Sequence, residues 1–169
     1  MHQGLSLVMA AAILTVMSAV SVISRLFVPA LSENLGARTV MAVFYFLQAM
    51  PVLLLFWAHE LWILYSFAIV FGIGYGGETG VFPILNRKYF GHAPMGTAWG
   101  VQMMGAGLGM ACGGWIGGPI FDIFGTYDLV WWISIISSLG GMISIMLLES
   151  TKELIIPDWE SNRAPPSEA

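Results

Sequence analysis

The sequence predicts an all-α membrane protein of five transmembrane helices. Three observations carry that prediction: a near-absence of charge, five apolar runs of spanning length, and basic residues confined to alternate loops. Of 169 residues, 57% are hydrophobic and 9% charged, and the mean hydropathy is +0.80. A soluble domain carries roughly 25% charged residues, so this chain lacks the polar surface that a globule presents to water. The net charge of −4 lies mostly outside the apolar runs, which argues against a nucleic-acid partner. Lipid is the expected surrounding. The single cysteine, Cys112, sits within an apolar run and excludes an intrachain disulfide.

A bilayer core takes roughly 20 mostly apolar residues per helix. The expected spans are Leu5–Leu31, Val40–Trp57, Leu61–Leu85, Gly96–Ile120 and Leu129–Leu148. Short polar breaks separate them at Ser32–Thr39, Ala58–Glu60, Asn86–Met95 and Phe121–Asp128. Trp57, Trp62, Trp131 and Trp132 fall near span ends, where amphipathic rings favour the headgroup region. Residues 1–150 thus form the bundle. The segment 151–169 has too little apolar surface to fold alone and is expected to be a mostly disordered tail.

Arg38 lies in the first break, Arg87 and Lys88 in the third, and Lys152 and Arg163 in the tail; the second and fourth breaks hold no Lys or Arg. Positive charge marks the cytoplasmic side, so the tail is expected inside and Met1 outside. Met1 would then be translocated with no signal sequence in front of it. An odd number of upstream helices removes that difficulty, and the chain is expected to be part of a longer protein.

The fourth span carries Gly105, Gly109, Gly113 and Gly117 at four-residue spacing, with Gly114 and Gly118 beside them. The third repeats the device with Gly72, Gly76 and Gly80. Such ridges let another backbone approach closely, either for static packing or for helices that rock. The string from Gly72 to Gly77 matches G-x-G-x-x-G, but that fingerprint requires a strand and a βαβ unit, and here it lies inside a span.

Two ionisable residues fall within spans, Arg25 and Glu78. A charge near the bilayer centre costs at least ~2.5–3.5 kcal/mol on insertion scales, so it faces a cavity or a partner. Each lies about 10 Å from the cytoplasmic end of its expected span at 1.5 Å per residue. Three readings stay open: a static Arg25–Glu78 ion pair, an anion site at Arg25 with Glu78 carrying a proton, or Arg25 snorkelling to the headgroups. Tyr75, Thr79, Trp99 and Gln102 in the glycine-rich spans either line a pathway or make single interhelical hydrogen bonds, as does Gln48. His2, His59 and His92 lie outside the spans and far apart, so neither a metal nor another cofactor is expected. An intramembrane enzyme needs a nucleophile with a base, or clustered carboxylates, at one depth; with no His in a span and Glu78 the one acid well inside, catalysis is not expected.

Three stretches carry a family resemblance. Residues 29–38 resemble a loop signature G-x-L-x-D-R-x-G-R-[RK], with Leu31, Gly36 and Arg38 matching. Gly100, Gly109, Gly113, Gly117 and Gly118 occupy the glycine positions of G-x8-G-x3-G-P-x2-G-G, with Gly114 in place of the proline. Phe121-Asp-Ile-Phe-Gly-Thr-Tyr127 resembles a helix-ending F-D-x-x-G-x-Y. Together they resemble the eighth to twelfth helices of the major facilitator superfamily, and in detail its oxalate/formate antiporter-like and monocarboxylate transporter-like members. The resemblance covers residues 4 to about 150. It implies a partial half-bundle of a secondary carrier, missing its N-terminal helices, that moves a small organic anion such as a mono- or dicarboxylate. In those subfamilies an arginine at the position of Arg25 binds the substrate carboxylate. Ser21 stands where monocarboxylate carriers place an aspartate, and Met104 near where oxalate-type carriers place a lysine. The expected substrate-binding residues are therefore Arg25, Glu78, Tyr75 and Gln102. The expected packing and gating residues are Gly72, Gly76, Gly80, Gly100, Gly105, Gly109, Gly113, Gly117 and Gly118. A small membrane scaffold that binds a partner through the glycine ridges, or a nonfunctional transporter fragment, is the alternative.

Overall fold

A computed structural model describes residues 7–57, 60–90 and 95–149. The expected tail at 151–169 and all three histidines lie outside the described residues. Five α-helices follow in order: α1 Leu7–Leu35, α2 Ala37–Val52, α3 Leu61–Phe90, α4 Met95–Phe124 and α5 Asp128–Leu147. A 3-10 turn, Leu53–Trp57, extends α2 just beyond Pro51.

The helices run past the apolar segments because backbone groups in or near lipid find partners most readily within their own helix. The break expected at Ser32–Thr39 shrinks to Gly36, whose φ of 84° lies in a region side chains disfavour. Asn86–Phe90 continues α3 rather than forming a loop. The motif beginning at Phe121 proves to be a helix stop. Gly125 takes φ 69°, its N–H donates to the Phe121 carbonyl at 2.8 Å, and the Phe121 and Tyr127 rings stack across it at 4.6 Å. That is the αL cap with its apolar contact.

α1, α2, α3 and α5 are long and apolar enough to cross a membrane. α4 is as long as α3 but falls outside that set, and nine of its thirty residues are glycine. The chain is a multi-pass membrane protein.

α3 is the hub. It packs most extensively on α1, then on α2. A β-carbon added at Gly72 would lie 2.7 Å from the Met17 carbonyl oxygen, and one at Gly80 would lie 3.1 Å from that of Arg25; at Gly76 it would overlap the Ser21 carbonyl. Both partners advance by four residues at each step, so α1 and α3 run parallel with backbones in contact. On another face of α3, Gly74 meets Leu47 and Gln48 while Gly77 meets the Phe44 ring, an antiparallel fit to α2. Val28, Met41, Phe44, Val81 and Leu85 form the core between these three helices.

α5 lies antiparallel on the far side of α2, with Gly141 under the Tyr45 ring. Its end is tied down by Arg38, which donates to the Leu148 carbonyl at 2.6 Å, and by the Tyr89 hydroxyl, which donates to the Glu149 carbonyl at 2.5 Å. A cation suits a helix C-terminus, where unpaired carbonyls collect. Arg38, Arg87 and Lys88 thus gather at one end of the bundle, whereas Phe56 packs on Trp131 and Trp132 at the other, with ring centroids 5.0 and 5.4 Å apart. α4 is the outlier: none of its described residues is buried.

Candidate functional site

Arg25 and Glu78 occupy the paired helices α1 and α3, and extension of both helices puts them farther from the helix ends than the apolar runs imply. Glu78 is twelve residues from Phe90, about 18 Å of helix, and Arg25 is ten from Leu35, about 15 Å. Among the described residues no ion pair joins them. The helical wheel supplies the reason. Gly72, Gly76 and Gly80 turn toward α1, and Glu78, six residues after Gly72, points to nearly the opposite side at 100° per residue. It shares a face with Gly74, Gly77, Val81 and Leu85, and that face packs on α2.

Glu78 therefore finds its partners on α2. Gln48 is buried, and its Nε2 donates to Glu78 Oε2 at 2.5 Å. Tyr45, one turn away on α2, brings its hydroxyl within interaction range of the same carboxylate. The expectation of one interhelical hydrogen bond from Gln48 holds in geometry, but its partner is an acid. The signal for Tyr45 was present in its spacing: Tyr45 and Gln48 are three apart and share a helix face.

Arg25 is exposed on the bundle, and its guanidinium carbon lies 5.6 Å from the centre of the Tyr75 ring. That is cation–π range. The direction is informative. The Arg25 backbone sits against Gly80, whereas Tyr75 is five residues nearer the start of α3. The side chain leans more than a turn toward the aromatic end, as helical side chains lean toward their N-terminus. It points away from the end where Arg38, Arg87 and Lys88 collect, opposite to snorkelling toward that end. Beside it, Ser21 is buried under Gly76, and Ser24 Oγ donates to the Ile73 carbonyl at 2.8 Å. A residue larger than serine at position 21 has little room.

Gln102 belongs to a separate structure. Asn86 Nδ2 donates to Gln102 Oε1 at 2.5 Å, and Gln102 Nε2 donates back to Asn86 Oδ1 at 2.9 Å. Each amide thus satisfies a donor and an acceptor of the other. Phe82 meets Trp99 edge-on at 5.7 Å one turn away. These four side chains make the joint between α3 and α4. Asn86 was assigned to a loop on sequence, and the continuation of α3 through Phe90 is what turns it into a partner. Thr79 bonds the Tyr75 and Gly76 carbonyls of its own helix, so it offers no donor to a pathway in this arrangement.

The expected site residues consequently divide three ways: Arg25 with Tyr75 on the α1–α3 groove, Glu78 with Tyr45 and Gln48 between α2 and α3, and Gln102 in the α3–α4 joint. The α3 glycines pack on neighbouring backbone. On α4, Gly100, Gly105, Gly109, Gly113, Gly117 and Gly118 have nothing within 4 Å of an added β-carbon. Gly109 and Gly113 instead line a cleft of about 430 Å³ between α4 and α5, facing Ile133, Ser134 and Ser137.

No curated protein matches the chain. The model of the Major Facilitator Superfamily matches residues 2–168, nearly the whole sequence, and with its helical bundle the chain belongs to that family of membrane transporters.

Proposed function

We propose that the chain forms one side of a larger alternating-access carrier for a small organic anion, a mono- or dicarboxylate, with Arg25 as its anion-binding residue. The observation that carries this reading is the state of Arg25. It is a cation placed about ten residues inside a spanning helix, facing a ring rather than a carboxylate. Bare charge at such depth costs at least ~2.5–3.5 kcal/mol. A cavity that admits an anion removes that penalty only while the anion is bound. Tyr75 holds the guanidinium by its face and leaves the planar fork of donors available for a carboxylate.

Carriers of this kind enclose their substrate between two half-bundles near the midplane, so a bundle of five helices supplies one wall. The basic end at Arg38, Arg87 and Lys88 is the cytoplasmic end by the positive-inside rule, and the aromatic end with Trp131 and Trp132 is extracytoplasmic. The glycine backbones of the α1–α3 pair keep Arg25 at a fixed height against Tyr75.

Uptake of radiolabelled acetate and oxalate into proteoliposomes tests the reading, with the carrier at its native length. A hydrogen bond to a charged group contributes about 1.5–3 kcal/mol, so Arg25→Ala should lower carboxylate transport by about tenfold to a hundredfold. Arg25→Lys should recover part of it, keeping the charge and losing the fork. Unchanged uptake in Arg25→Ala would remove Arg25 from substrate binding.

A further inference from the structure

A second cation lies apart from the anion site. Arg38 stands at the mouth of a groove of about 250 Å³ between α2 and α5, walled by Thr39, Val43, Phe46, Met142 and Met146. We propose that this groove binds one anionic phospholipid from the leaflet at the basic end of the bundle, with its phosphate on Arg38 and an acyl chain along Val43, Phe46 and Met142. The proposal is independent of the carrier reading, since it uses neither Arg25 nor a route between half-bundles.

The layout of the groove carries the argument. On α2, Thr39, Val43 and Phe46 fall on the side turned away from Phe44 and Gln48, the two residues that meet the α3 glycines. Val43 is 50% exposed, Phe46 44% and Met146 55%, so the groove opens to the surroundings of the bundle and not to its core. Arg38 and Phe46 are eight residues apart, about 12 Å of helix. A bilayer core is about 30 Å thick, so the groove stays within one leaflet. Its polar groups, the Arg38 guanidinium and the Thr39 hydroxyl, sit together at the end where α3 carries Arg87 and Lys88. Met146 lies beside the cation, two residues before Leu148, and Met142 is one turn further in. A soluble anion gains nothing from the apolar length, and a zwitterionic head brings its own cation beside the phosphate. The gradient from charge to apolar wall fits an amphiphile with a negative head.

Arg38 is placed to receive such a head. It spends one N–H on the Leu148 carbonyl, and a guanidinium has five. Among the described residues no carboxylate pairs with it. Glu149, next along the chain, is held through its backbone carbonyl by the Tyr89 hydroxyl. The bond to Leu148 fixes the guanidinium at the groove mouth, and its remaining donors suit the paired oxygens of a phosphate. α2 also begins here, just after Gly36, and the start of a helix adds partial positive charge at the same point. The tail contributes little to the choice of lipid, because bulk lipid tails are as apolar as the groove. Discrimination therefore rests on the head, as in other basic pockets between helices at a membrane face. A lipid seated here touches both α2 and α5, and braces the end of α5 that Arg38 already ties down.

Native mass spectrometry of the full chain in mixed micelles tests the site, with dioleoyl phosphatidylglycerol and dioleoyl phosphatidylcholine as probes. The wild type should retain one phosphatidylglycerol with an affinity about fivefold above that for phosphatidylcholine, the factor for one basic residue at a membrane surface. Arg38→Gln should bring the two lipids to the same affinity. Lys88→Gln, at the same end but outside the groove, should keep the preference. Val43→Trp fills the groove from a half-exposed position and leaves the Arg38–Leu148 bond in place, so it should lower binding of both lipids severalfold. The wild-type comparison and Val43→Trp judge the proposal even if Arg38→Gln does not fold. Equal affinity of the wild type for the two lipids would overturn it. So would a loss of preference in Lys88→Gln as large as in Arg38→Gln, which means a diffuse basic surface, or unaltered binding in Val43→Trp. Glycerol 3-phosphate offers the same head without a tail. If it displaces phosphatidylglycerol at equal concentration, the site takes soluble phosphate and the lipid assignment falls; if phosphatidylglycerol stays bound, the assignment is supported.

Discussion

α3 and α4 have the same length and the same device, glycines every fourth residue, yet they end up in opposite situations. Gly72, Gly76 and Gly80 are pressed against the carbonyls of α1, and a second glycine pair on α3 admits α2. The glycines of α4 meet nothing, and α4 is attached through Phe82, Asn86, Trp99 and Gln102 near one end. A small-residue ridge permits close approach but supplies little attraction of its own. What distinguishes α3 is the matching four-residue step of Met17, Ser21 and Arg25 on α1. α5 presents Ile136 outward, and its Ser134 and Ser137 face Gly109 and Gly113 only across an open cleft.

The largest effect that sharpens this contrast is Gly76→Ala. Its β-carbon would coincide with the Ser21 carbonyl, and a backbone atom cannot rotate away. Overpacking of this kind costs about 1–3 kcal/mol, which a reversible unfolding titration in mixed micelles would read. Gly77→Ala makes the useful control because its obstacle is the Phe44 ring. Phe44→Leu should relieve much of the second substitution and none of the first. Equal rescue of both would mean that α1 and α3 are not in backbone contact at Ser21.

The next effect concerns the joint of α4. Removing either amide of the Asn86–Gln102 pair leaves the other unsatisfied in the bundle. Interhelical hydrogen bonds in membranes average about 0.6 kcal/mol and reach about 1.7 kcal/mol. A double-mutant cycle with Asn86→Ala and Gln102→Ala should give a coupling energy toward the upper end of that range, since two bonds are lost together. Additive single effects would mean that α4 is held elsewhere.

Much of this was legible in the residues, and the limits follow a physical line. Apolar runs locate helices, since lipid forces the backbone to satisfy itself. The α3 ridge and the position of Glu78 opposite it follow from 100° per residue. Helix ends were harder: Asn86–Phe90 is polar enough to suggest a loop, but hydrogen bonding within the helix carries it on through Phe90. Pairings were hardest. Arg25 and Glu78 match in depth and charge, and depth alone suggests they meet. Their azimuths send them to different helices, and azimuth relative to a neighbour is not written in one helix's sequence. Tyr45 escaped notice for the same reason, and the interhelical hydrogen bond expected of Gln48 had no named partner until Glu78 was known to face α2.

The smallest predicted effect decides what the α4 ridge is for. Gly113→Ala places a methyl group into the α4–α5 cleft, where nothing lies within 4 Å. Alanine also has a helix propensity about 1 kcal/mol better than glycine. The substitution should therefore leave the stability of this bundle within about 0.5 kcal/mol of the wild type or raise it slightly, in the same titration that shows Gly76→Ala falling. The informative comparison is with transport. If Gly113→Ala keeps stability and lowers the uptake proposed above, the ridge meets a backbone only in a state visited during turnover, and its open face here is the resting half of a cycle. If it leaves both intact, the ridge is a lipid-facing surface and the resemblance of its glycines to a family motif carries no mechanical role. A loss of stability as large as that of Gly76→Ala would break the contrast, because α4 would then have a permanent partner packed along Gly109 and Gly113.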